Sequence, residues 1–134
     1  MHWITATILA VTAFAGVTVQ AMTGGSVDVK FRGTWVPAAA ACTSPLKLVI
    51  EANKVTFVHG AQRAEYNRLA QCFTCMGRDV EHVTLLSTEA MGDSPFMLYL
   101  DASKKQASVR TDFSNDKQLG GRFPFGTAAL KPCL

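Results

Sequence analysis

Val27, Val29, Phe31, Gly33 and Trp35 alternate with Asp28, Lys30, Arg32 and Thr34. A period of two puts the first set on one face of a strand and the second on the other, as in a sheet with one buried face. The pattern predicts a strand over 27–35, closed by Pro37, which has no N–H for a central ladder. Leu46, Leu48 and Ile50 repeat the alternation. Ala52-Asn53-Lys54 reads as a turn, and Val55 to His59 as the returning strand of a hairpin, stopped by Gly60. Val83 to Leu86 and Phe96 to Leu100 are further strand-like runs. Ala107, Val109, Thr111 and Phe113 alternate with Ser108, Arg110 and Asp112. In 61–76 the pattern divides. Ala61, Glu65, Leu69 and Phe73 have the i+4 spacing of a helix, whereas Tyr66 and the cysteines suit a strand or loop; a strand within a longer loop is the expectation. Short strands at this spacing predict an all-β domain, a small antiparallel barrel or sandwich of about six to eight strands. A barrel is favoured, because a small chain has little with which to hide open sheet edges.

The 134 residues allow one domain, and 49% hydrophobic against 17% charged excludes a disordered chain. Net charge is +3 without a basic block, so nucleic acid is not an expected partner. No phosphate-binding glycine loop, nucleophile elbow, HExxH or EF-hand pattern occurs. No catalytic residue, metal ligand or cofactor is predicted, since no carboxylate pair and no Ser/His/Asp order is recognisable. His59 and His82 read as surface side chains.

Residues 1–21 carry none of the Asp, Glu, Lys or Arg. Ile4 to Val19 is apolar, diluted by four threonines, and Val19-Gln20-Ala21 has the small or apolar residues of a cleavage site. This predicts a cleaved signal peptide over 1–21 and a single β domain over 22–134, secreted or periplasmic and without a membrane partner. The n-region lacks Lys and Arg, and Trp3 to Met22 has about the ~20 residues that span a bilayer, so a retained anchor is the alternative. In an exported domain, Cys42, Cys72, Cys75 and Cys133 read as two disulfides. The CxxC at 72–75 also admits a redox motif or, with His59 and His82, a zinc site. Gly77 follows closely, no βαβ pattern surrounds the pair, and the histidines have no metal-like spacing. Structural bonds are therefore expected. Three pairings are open; the favoured ones send Cys72 and Cys75 outward, one to Cys42 and one to Cys133.

Gly33-Thr34-Trp35 on the first strand resembles the GxW of lipocalin-like barrels. That resemblance implies that Trp35 plugs one barrel end, with Arg122 packing over its indole. Gly33-Thr34-Trp35-Val36 followed by Cys42, Leu46 and Leu48 also resembles the small periplasmic inhibitors of bacterial metalloproteases, which are exported eight-stranded barrels. In that family an N-terminal arm enters the protease cleft, and the matching segment here is Met22, Thr23, Gly24, Gly25 and Ser26. The second cysteine pair and the Cys133 tail depart from that pattern.

Three functions follow as expectations. The first is a binding module acting on another protein, including inhibition of a secreted or periplasmic hydrolase or protease. The second is a lipocalin-like carrier of a small apolar ligand, and the third a structural cell-envelope protein. The interior is expected to be filled by Val27, Val29, Phe31, Trp35, Leu48, Ile50, Phe57, Leu98, Leu100 and Val109, leaving no room for a ligand. Phe123, Pro124 and Phe125 form a stiff apolar segment that suits either a partner contact or a cap on the barrel, with at least one ring buried.

Overall fold

The computed structural model describes residues 22–23, 25–76, 81–89 and 93–134; the expected leader and Gly24 lie outside them. β1 (Met22–Thr23) precedes a 3-10 turn at Val29–Phe31. Then come β2 (Gly33–Pro37), β3 (Leu46–Ile50), β4 (Val55–His59), β5 (Gln62–Tyr66), β6 (Leu69–Cys72), β7 (His82–Ser87), β8 (Met97–Asp101) and β9 (Ser108–Asp112). A short helix, α1 (Lys117–Arg122), leads to β10 (Leu130–Cys133). Strands β2 to β5 pair antiparallel in sequence, β6 to β10 do the same, and β10 returns to β2. The chain is a nearly closed antiparallel barrel of nine strands, with the two-residue β1 added at the free edge of β6.

Nine strands exceed the six to eight expected from spacing. Stretch 61–76 supplies two of them, and their directions explain why. Neighbours alternate in direction along the order β6-β7-β8-β9-β10-β2-β3-β4-β5, so β5 and β6 at its ends run the same way. Only Asn67 and Arg68 join them. β5 and β6 therefore follow one another in the same direction, as two strands with a bend between them. Glu89 holds the bend, its Oε1 accepting from the N–H of Asn67 at 2.8 Å and of Arg68 at 3.2 Å.

The expected strand over 27–35 begins only at Gly33. The Asp28 side chain accepts from Lys30 N–H at 3.0 Å, a local bond that competes with the sheet ladder and turns Val29–Phe31 into a 3-10 turn. Gly33, at φ +126°, supplies the backbone that restarts the strand. The turn moves Val29 outward, where it is 74% exposed; the other nine residues expected inside are buried.

Both barrel ends are closed. At one, Val27 N–H donates to Ala52 O in the β3–β4 turn (2.8 Å), and Trp35 Nε1 donates to Phe31 O (2.9 Å). Val27, Phe31 and Trp35 are buried there with Ile50. At the other end, Asp116 caps α1 by accepting from Leu119 N–H, and Leu119, Phe123 and Phe125 are buried. Phe57 is the hub of that end: the rings of Phe96, Phe113, Phe123, Tyr66 and Phe125 all lie 5.1–6.2 Å from it.

The disulfides join Cys42 to Cys133 and Cys72 to Cys75, which overturns the expected outward pairing of the CxxC. β6 ends at Cys72 and the chain turns there, bringing the Cα atoms of Cys72 and Cys75 within 5.6 Å, inside disulfide range. β10 lies against β2, so Cys133 comes beside the loop that holds Cys42.

Candidate functional site

β8 and β9 alternate. Leu98, Leu100, Val109 and Thr111 are buried, while Tyr99, Arg110 and Asp112 stand on the outer face. β9 meets β10 only at Val109–Leu130. Beyond that pair the two strands part, and the stretch leading from α1 to β10 crosses the gap, with Gly126 O accepting from Thr111 Oγ1 at 3.5 Å. The parting leaves an open cleft of about 500 Å³, lined by Tyr99, Arg110, Asp112, Phe113, Ser114 and Thr127 among others. That volume falls in the ~300–1,000 Å³ range of ligand sites.

Side chains around the cleft are fixed to one another. Tyr99 Oη donates to Asp112 Oδ2 at 3.2 Å, and Ser114 N–H donates to Asp112 Oδ1 at 2.9 Å. The Arg110 guanidinium lies over the Tyr99 ring, 5.7 Å from its centroid. Hydrogen bonds from Ser114 hold the Asp112 carboxyl below its ordinary value, so it is charged at neutral pH. Burial, followed by the bond to Asp112, pushes the Tyr99 phenol up and keeps it a neutral donor. Phe113 forms the apolar wall, half-buried and packed on Phe57 at 5.2 Å. Gly120 lies so close to it that an added Cβ would meet Phe113 Cβ at 3.0 Å.

Of the residues singled out by sequence, Phe123 alone lines the cleft. Phe123 and Phe125 are both buried, which meets the expectation of at least one buried ring, and Pro124 between them is exposed. Phe123 still forms part of the cleft floor. Met22 and Thr23 pair with Cys72 and Gln71, and Gln71 Nε2 donates to the carbonyls of Gly25 and Ser26 at 3.3 and 3.2 Å. The described residues of the segment matched to an inhibitory arm are therefore held against β6. Arg122 lies over the Phe123 ring at 5.1 Å, not over Trp35, and its Nε donates to Gln62 Oε1 at 3.1 Å. Trp35 is buried, as expected.

His59 and His82 are the histidines of the described residues. His59 Nδ1 meets Arg122 O at 2.9 Å. His82 Nε2 lies 3.3 Å from Asp101 Oδ1, and Ser103 Oγ donates to that same carboxylate oxygen at 2.6 Å. Activation of the serine would need its hydroxyl on the imidazole. Among the described residues no group of three or more His, Cys, Asp or Glu could hold a metal, and no helix is long and apolar enough to cross a membrane.

Sequence reading missed Tyr99, Arg110 and Asp112 as site residues. The polar face of 107–113 was visible, but the divergence of β9 from β10 that makes it one wall of a cleft had no local signal. No protein-family model, curated protein or solved structure matches the chain.

Proposed function

We propose that the protein is an exported, disulfide-stabilised binding module that acts on another protein through the cleft beside β9. The observation that carries the reading is where space is left. The interior is filled by Trp35, Phe57 and their neighbours and both ends are plugged, while the recess lies on the outside, with polar groups already oriented. An apolar-ligand carrier needs the opposite arrangement. Two disulfides fit an oxidising compartment, in agreement with a leader at 1–21.

Inhibition of a secreted or periplasmic hydrolase is the finer form of this proposal. With the N-terminal segment docked on β6, the cleft is the surface that would meet the enzyme. Affinity capture from exported proteins, comparing the oxidised chain with Tyr99→Ala and Arg110→Gln, tests the assignment. A specific partner is expected to be held by the parent chain and lost with folded cleft variants. Equal capture by all three would contradict the cleft as the site.

A further inference from the structure

We infer that the cleft binds a carboxylate, with the Arg110 guanidinium as its anchor and the Phe113 ring as the wall for the apolar group that carries it. The inference rests on the reading of the cleft as the partner-facing site and names what it holds: an acidic side chain or chain terminus of the partner, next to an apolar residue.

Arg110 is exposed, and its guanidinium forms no hydrogen bond or ion pair within the described residues; its contact is the Tyr99 ring. A long charged side chain gives up rotamer freedom when it binds, and stacking removes part of that cost beforehand. The platform is itself fixed, because Tyr99 is tied to Asp112 and Asp112 to Ser114. Asp112 accepts from Tyr99 and Ser114, and Asp101 on the same outer face accepts from Ser103, so the donor fork of Arg110 is left for an outside acceptor. That fork matches the two oxygens of a carboxylate. A carboxylate brings a single negative charge to the single positive charge of the guanidinium. Thr127 and Ser114 add hydroxyl groups at the rim, and Phe113 supplies an aromatic face.

The test titrates the oxidised chain with N-acetyl-phenylalanine and with N-acetyl-phenylalaninamide, which share ring and bulk but differ in charge, followed by backbone amide shifts. The acid is expected to move the amides of Arg110 to Ser114 and of Gly126 and Thr127, and to bind at least tenfold more tightly than the amide. Arg110→Gln is expected to abolish that difference while leaving the rest of the spectrum in place. Equal binding of acid and amide, shifts centred outside the cleft, or no shifts would overturn the inference. The two levels fail separately. A partner still lost on Arg110→Gln, with acid and amide bound alike, removes the carboxylate and keeps the cleft; a partner held by every cleft variant removes the cleft itself.

Discussion

The Tyr99 hydroxyl reaches diagonally across two strands to the Asp112 carboxylate, 3.2 Å away. Arg110 stands directly opposite Tyr99 in the β8–β9 ladder, and Asp112 lies two residues further along. One bond thereby sets the ring plane on which the guanidinium rests. Tyr99→Phe keeps the ring and removes the donor. We expect a loss of about 1 kcal/mol by urea denaturation, the usual net worth of such a bond. Weaker binding at the cleft should accompany it, and an unchanged midpoint with unchanged binding would show that the bond positions nothing.

Carboxylates give the fold an acid limit. Asp112 and Asp101 are both held below the ordinary value, chiefly by hydrogen bonds from Ser114 and Ser103. A depressed folded pKa stabilises the native state above the unfolded value of about 4 and loses that contribution as pH falls through the folded one. Stability is therefore expected to be level from pH ~5 up to the alkaline range, where the raised Tyr99 phenol ionises, and to fall in acid. Ser103→Ala should raise the Asp101 titration midpoint, as followed by carboxyl carbon NMR. An unmoved midpoint would contradict the assigned cause.

Unequal loops should make the two disulfides unequal. Cys42 and Cys133 are 91 residues apart, Cys72 and Cys75 only three. Chain-entropy arguments give roughly 4.5 kcal/mol for the long loop and roughly 2 for the short one. Paired serine substitutions, compared by denaturant midpoint, should reproduce that order. A larger loss from the 72–75 pair would show that its role exceeds loop closure.

Adjacent glycines in α1 differ in their surroundings. A Cβ at Gly121 meets nothing within 4 Å, whereas one at Gly120 presses on Phe113. Gly121→Ala is expected to stabilise by up to about 1 kcal/mol through helix propensity. Gly120→Ala should gain less or destabilise, with shifts at Phe113 and the cleft. Thermal melts decide, and equal gains at both positions would contradict the close packing of α1 on the cleft wall.

Much of the fold was legible because alternation is local. Leu46 to Ile50, Val55 to His59 and the Leu98, Leu100 and Val109 core positions follow from period two alone. Other features depended on partners that spacing does not record. Val29 left its predicted face because Asp28 bonded to Lys30 N–H. α1 stayed hidden because Gly120 and Gly121 are poor helix formers; the Asp116 cap and the burial of Leu119 hold it. β10 was masked by Lys131 and Pro132, which fit beside β2 because β9 pairs only at Leu130. The cleft was least legible, since it comes from two strands separating.

The most direct test of the account is cross-saturation NMR on the isotopically labelled, oxidised chain bound to the exported protein it captures. The account predicts intensity loss at Tyr99, Arg110 to Ser114, Gly126 and Thr127. Loss centred on residues 22–26 and β6, with the cleft unaffected, would contradict it and return the role to the N-terminal arm.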